Sequence, residues 1–133
     1  TDRRVHPSTP MLSLTLCKRG ECEPAPNNTY IMGMVQMRYD PPQYTNTWYD
    51  HRIVVYSPIA PFNMMSVSKK LTYHGETNSK YIWTGSMVYH GDQPKQRSHG
   101  FLDDEIWLSF GIGDSSPGWL DIKAEELVWD HYF

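Results

Sequence analysis

Along most of this chain apolar and polar residues alternate with period two, the pattern of strands that bury one face. Leu12, Leu14 and Leu16 alternate with Ser13, Thr15 and Cys17. The stretch Tyr30 to Tyr39 sets Ile31, Gly33, Val35 and Met37 against Met32, Met34, Gln36 and Arg38. Both faces are largely apolar, which predicts a central strand covered on both sides. His51 to Tyr56 places Ile53 and Val55 opposite Arg52, Val54 and Tyr56, and Ile82 to Tyr89 alternates again. Ile106, Leu108 and Phe110 alternate with Trp107, Ser109 and Gly111; Gly111, Gly113 and Asp114-Ser-Ser-Pro-Gly118 then break the ladder, and Trp119, Leu120 and Ile122 resume it. That predicts a hairpin. Residues 63–73 read as two short strands, residues 91–100 as a polar, basic, mobile loop, and residues 124–129 as one or two helical turns. About eight short strands separated by turn clusters predict an all-β fold. The connections are too short for helical crossovers, so a parallel α/β sheet is not expected. Residues 1–10, polar, basic and twice interrupted by proline, read as an extended N-terminal arm, and residues 11–133 as a single all-β domain.

Composition agrees with that pattern. The hydrophobic fraction is a modest 39% while aromatics reach 14%, so rings supply much of the buried volume, and five Trp, nine Tyr and ten Pro favour strands and turns over helices. A net charge of -3 with scattered basic residues argues against nucleic acid as the partner, because phosphate binding needs a clustered basic face. No run approaches the ~18 to 20 apolar residues of a membrane span, and no charged-then-apolar leader is present. Beginning at Thr1 without an initiator Met, the chain reads as a processed product or a piece of something longer. Cys17 and Cys22 enclose Lys-Arg-Gly-Glu, a hairpin-sized loop that sets them opposite each other. A disulfide is the favoured reading, a free thiol pair the second, and a metal pair the weakest, because zinc spacing wants a second pair. Asn27-Asn-Thr29 is an N-glycosylation sequon in a Pro-rich loop. Sequon and cysteine pair both point to the secretory pathway or the extracellular space.

The motif order from His51 onward carries a resemblance. His51-Arg52 opens a β-branched strand; Met64-Met-Ser-Val-Ser-Lys-Lys-Leu71, Tyr81-Ile-Trp-Thr-Gly-Ser-Met87 and Leu108-Ser-Phe-Gly-Ile-Gly-Asp114 follow. This order resembles the closing blades of five-bladed β-propellers related to glycoside hydrolases and phosphorylases and found beside glycosyltransferase-type proteins. There a His-Arg strand leads to segments resembling S-x-x-F, I-E-F-x-x-G-L and S-Y-G-x-x-D. The resemblance implies antiparallel four-stranded blades around an axis, with carbohydrate near the axial mouth and His51, Arg52 and Asp114 facing it. Ile82 stands where the family pattern has Glu, which implies sugar binding more than turnover; any turnover would be glycosidase-, phosphorylase- or glycosyltransferase-like. A chain of 133 residues supplies about two or three blades, so the remainder would lie on a partner chain or a precursor segment. A small β-sandwich is the alternative fold.

Candidate chemistry comes with plainer alternatives. Asp103, Asp104, Glu105 and Asp114 contain enough carboxylates for glycosidic acid/base work, which needs a pair ~5 to 10 Å apart. Equally, Asp103 and Asp104 suit a solvated turn, and Asp114 suits capping its own. His51-Arg52 suits a sugar hydroxyl or phosphate, or an Arg locking strands through an acid. Tyr44, Trp48, Tyr49, Trp83, Trp107 and Trp119 suit stacking on sugar rings or filling the core. Trp107, opposite Ile106 and Leu108, is the best single ring for ligand contact. His74, His90, His99 and His131 share no metal-ligand spacing, and no P-loop, G-x-S-x-G or G-x-G-x-x-G occurs, so neither metal nor cofactor is expected. The resulting expectation is a carbohydrate-binding or carbohydrate-processing module with His51, Arg52, Trp107 and Asp114 at the ligand. The alternative is a non-catalytic structural or interaction domain of an extracellular assembly, presenting strand edges and rings to a partner chain.

Overall fold

A computed structural model of the chain describes residues 4–39, 48–71, 82–93, 95–113 and 115–131. Among them nine strands and one short helix succeed one another: β1 (Arg4–Pro7), β2 (Leu12–Thr15), β3 (Thr29–Tyr39), β4 (Trp48–Tyr56), β5 (Met64–Val67), β6 (Ile82–His90), β7 (His99–Phe101), β8 (Glu105–Ile112), β9 (Ser116–Lys123) and α1 (Ala124–Val128). The fold is all-β, as the alternation predicts.

The strands form two sheets. In the six-stranded sheet the order is β5-β4-β3-β2-β7, and β1 also pairs with β3. The long strand β3 organises it. Along one edge β4 pairs from Ile31 to Tyr39; the other edge is shared by β2, over residues 29–32, and β1, over residues 35–38. Between these two short strands Pro10 interrupts the chain, and Thr9 bridges the gap: its Oγ1 accepts from Met34 N at 3.0 Å, while Ser8 N donates to Met34 O at 2.9 Å. Residues 4–10 of the segment read as an arm are therefore extended and laddered into the sheet. The second sheet, β6-β8-β9, is antiparallel throughout and contains the hairpin predicted around residues 111–118.

The sheets share one core. Leu12, Leu14, Met32, Met34, Ile53 and Val55 meet Met87, Tyr89, Ile106 and Leu108, with Ala124, Leu127 and Val128 of α1 completing the cluster. On β3 the core face is Met32-Met34-Gln36, not the more continuously apolar Ile31-Gly33-Val35-Met37 face. Leu12 and Leu14 lie directly across from Met32 and Tyr30, so the register with β2 selects that face, and the buried Gln36 Oε1 accepts from Thr84 N of the other sheet at 3.4 Å.

The fold is all-β and not the parallel α/β sheet that the short connections argue against, although one pair departs from the antiparallel pattern. Strands β2 and β7 pair in parallel, Ser13 opposite His99, which needs no direct crossover because the strands lie far apart in the chain. Sheets of six and three strands do not confirm the four-stranded blades that the resemblance implies, and the described residues form no closed propeller.

Candidate functional site

The outer face of the three-stranded sheet is where unused chemistry collects. Period two sends Ile106 and Leu108 of β8 inward and Glu105, Trp107 and Ser109 outward. The register then dictates the neighbours. Across from Trp107 stand Val88 and Asp121, across from Ser109 stands Trp119, and across from Gly111 stand Trp83 and Pro117. Three tryptophans thus share one face, and they are 46% (Trp83), 47% (Trp107) and 69% (Trp119) exposed. Trp107 and Trp119 are diagonal neighbours on adjacent strands, a separation of about 7–8 Å.

At one end of this face lies an open cleft of about 540 Å³, bordered by Trp83, Ser109, Gly111, Ser116, Pro117 and Trp119. Its floor depends on missing side chains. A bulge in β6 around Gly85 lets the Trp83 ring lie over that glycine, where an added Cβ would come within 2.8 Å of the ring. At the other end three strands bring polar groups together. His90 from β6, Glu105 from β8 and Asp121 from β9 hold their ligand atoms within 4.8 Å of one another. His90 Nε2 pairs with Asp121 Oδ1 and lies 3.6 Å from Glu105 Oε2, while its ring stacks on Trp107 at 4.6 Å between centroids.

Of the residues singled out from sequence, Trp83, Glu105, Trp107 and Trp119 lie here; of the four expected at the ligand, Trp107 is the one on this face among the described residues. His51 is 2% exposed and faces inward beside Ile53, where burial lowers its pKa to about 4 against the opposing pull of Asp50. Arg52, its neighbour on β4, points to the opposite face and donates from Nη1 to Ser68 O at 3.1 Å. Adjacent residues of one strand cannot hold one ligand from opposite faces of a sheet, so His51 and Arg52 are not brought together, and neither shares a surface with Trp107. Asp114, Tyr44, Tyr81 and His74 lie outside the described residues. Asn27 is exposed, and Thr29 Oγ1 of its sequon lies 2.9 Å from Thr15 Oγ1.

The acidic triplet divides three ways. Asp104, 5% exposed, accepts from Arg19 Nε at 3.1 Å and Nη2 at 2.6 Å and from Phe101 N at 2.8 Å. The Arg19 guanidinium lies 4.7 Å over the Phe101 ring, and its pKa is raised chiefly by the hydrogen bond to Asp104. Asp103 accepts from Arg19 N at 2.8 Å, so the two acids do stand in the turn their sequence suggests, between β7 and β8, but both are hydrogen-bonded to the 17–22 loop. Only Glu105 faces the tryptophan surface. Arg19 itself rides on the loop closed by the Cys17–Cys22 disulfide, S–S 2.04 Å.

Two members of this surface, His90 and Asp121, were not singled out by sequence reasoning as binding residues. Hairpin register alone places Asp121 opposite Trp107 once the turn at 113–115 is fixed. No local pattern places His90 opposite Glu105. Among known proteins no family model, no curated sequence and no solved structure matches this chain.

Proposed function

We propose that this chain is a carbohydrate-binding module whose ligand surface is the outer face of the three-stranded sheet, with Trp83, Trp107 and Trp119 as the stacking platform. The observation that carries the reading is three large exposed rings on one face of one sheet, beside a cleft. An uncovered aromatic patch is costly in water, and such patches mark binding surfaces. The C–H faces of a pyranose pack on indole rings, while Ser109 and Ser116 offer hydroxyls at the cleft edge. Binding rather than turnover fits a flat face whose carboxylates sit side by side instead of across a gap. The disulfide fits an oxidising compartment, where extracellular glycans are found. The layered arrangement of two sheets over one core supports the β-sandwich alternative more than a set of blades.

A second reading, an interaction domain, draws on a different surface. Among the described residues strand β5 forms one edge of the six-stranded sheet, and Met64, Met65 and Val67 on it are exposed, as are Ile59 and Phe62 just before it. An apolar unpaired edge is a template for another chain.

A glycan array followed by calorimetry separates the two. The first reading expects binding of at least one glycan class that weakens about tenfold or more in Trp107→Ala and Trp119→Ala, the scale set by losing a stacking ring worth ~1.5 kcal/mol. An array with no hits, or hits indifferent to both substitutions, sinks it and leaves the β5 edge as the surface to pursue.

A further inference from the structure

His90, Glu105 and Asp121 come from three adjacent strands and converge on one point of the outer face. The register fixes this: His90 lies across from Glu105, and Trp107, two residues on, lies across from Asp121. Backbone pairing holds the three Cα positions before any side chain moves. The chemistry at the point of convergence is one imidazole nitrogen and two carboxylates, three donors of the kinds that bind divalent metals. His90 Nε2 is enclosed from solvent, and its contacts to Asp121 Oδ1 and Glu105 Oε2 are ion-pair contacts without an aligned hydrogen bond. Stacking on Trp107 fixes the plane of the imidazole and aims Nε2 between the carboxylates.

We propose that His90 Nε2, Glu105 and Asp121 form a binding site for a divalent metal of borderline character, with Zn2+ the best fit. Three protein ligands with water in the fourth position match an open zinc site. Calcium is a poorer match, because it takes about 6–8 oxygens and this corner offers at most the four of two carboxylates. Ligands about 2.0–2.2 Å from a tetrahedral ion lie ~3.3–3.6 Å apart. His90 Nε2 and Glu105 Oε2, 3.6 Å apart, already stand at that spacing. A pair at the present limit of 4.8 Å would have to close by about 1 Å, and the direct His90–Asp121 contact would have to open to admit the ion. The exposed Glu105 and Asp121 side chains can make both movements. Lys123, across from Glu105 on β9, is the one basic side chain opposite the cluster in the register and is the rival source of positive charge. Nε2 is covered by the two carboxylates, and because Glu105 and Asp121 are themselves exposed, swinging either aside opens a path for the ion. This inference stands independently of whether the tryptophan platform binds sugar.

The test uses the full chain after chelator treatment, titrated with zinc chloride by calorimetry, with calcium chloride as a parallel arm. One zinc per chain is expected. Asp121→Asn and Glu105→Gln keep shape at exposed positions, and His90→Ala removes the nitrogen; each should weaken zinc binding about tenfold or more, since even partners outside a metal's own ligands cost that much. Lys123→Met should leave zinc binding intact or strengthen it. A second readout is local: Cu2+ bound at this corner quenches the fluorescence of Trp107, and Trp107→Phe should lose that quenching while still binding zinc. Far-ultraviolet circular dichroism checks that each variant keeps the wild-type fold. No zinc binding by the folded wild-type chain, zinc binding unchanged in both Asp121→Asn and Glu105→Gln, or calcium binding tighter than zinc would each overturn the assignment.

Discussion

At the scale of single residues, burial decides what a side chain is for. His51 carries the ligand role in the family resemblance, yet its ring sits in the core with its pKa lowered to about 4, first by desolvation and then by Lys70, against Asp50. Such a histidine is neutral in the folded state near neutral pH, and its influence is on stability. As pH falls below 6.5 the unfolded chain takes up a proton that the native chain refuses until about 4, so stability is lost across that window. Between pH ~8 and pH ~4.5 the loss from this one group is about 2.5 kcal/mol. His99 and His131, both lowered first by burial, act in the same direction. Urea unfolding at the two pH values should therefore show a strong decline in wild type and a decline smaller by about 2 kcal/mol in His51→Gln. Equal declines in the two proteins would remove His51 from the account.

At the scale of elements, alternation made the strands legible, and long-range pairing hid their arrangement. Strands β2, β3, β4, β6 and β8 all lie where period two places them, because each buries one face against the other sheet. The same signal could not choose the inner face of β3, apolar on both sides, nor foresee that β7 adds in parallel to β2. It also could not join His90 to Glu105, whose pairing belongs to β6 and β8 together. Strand β7 shows what such non-local pairing demands of a residue. Gly100 lies across from Leu14, and an added Cβ there would stand 2.4 Å from Tyr89 Cε1. That ring cannot retreat, being fully buried with its hydroxyl donating to Ser13 O at 3.0 Å. Gly100→Ala should cost about 1–3 kcal/mol, the range of overpacking in a filled core. Adding Tyr89→Leu in the same chain should cost less than the two single changes summed. Additivity in that double-mutant cycle would show that the ring is not what excludes the methyl group.

At the scale of the whole molecule, stability depends on how one sheet is fastened to the other, and the fastening is concentrated at the turn between β7 and β8. There the chain leaves the six-stranded sheet and enters the three-stranded one. Asp104 sits in that turn. Its carboxylate holds Arg19 from the disulfide-closed loop and the amide of Phe101, while its carbonyl accepts from Ala124 N at 2.9 Å, fixing the start of α1. Leu102 adds a bond on each side, its N donating to Cys17 O and its O accepting from Glu125 N. Both sheets, the loop and the helix thus meet at one short turn, which is why two adjacent acids that read as a solvated turn are instead committed to structure. Removing one partner of a buried, bidentate pair leaves the other charge unpaired, a loss of about 3–5 kcal/mol. Arg19→Ala, which strands the buried Asp104 carboxylate, should therefore lower stability by about 3 kcal/mol or more. Asp104→Ala strands a partly exposed guanidinium but also takes the acceptor from Phe101 N, and should lower it by about 2 kcal/mol. Unfolding followed both by tryptophan fluorescence, weighted toward the three-stranded sheet, and by far-ultraviolet circular dichroism, which reads both sheets, tests the fastening itself. In wild type the two transitions should coincide, since one core serves both sheets. In Asp104→Ala they should separate, the fluorescence midpoint falling at lower urea. Coincident transitions in the variant, with a loss under about 1 kcal/mol, would mean that the shared core alone holds the sheets together and that the turn merely connects them.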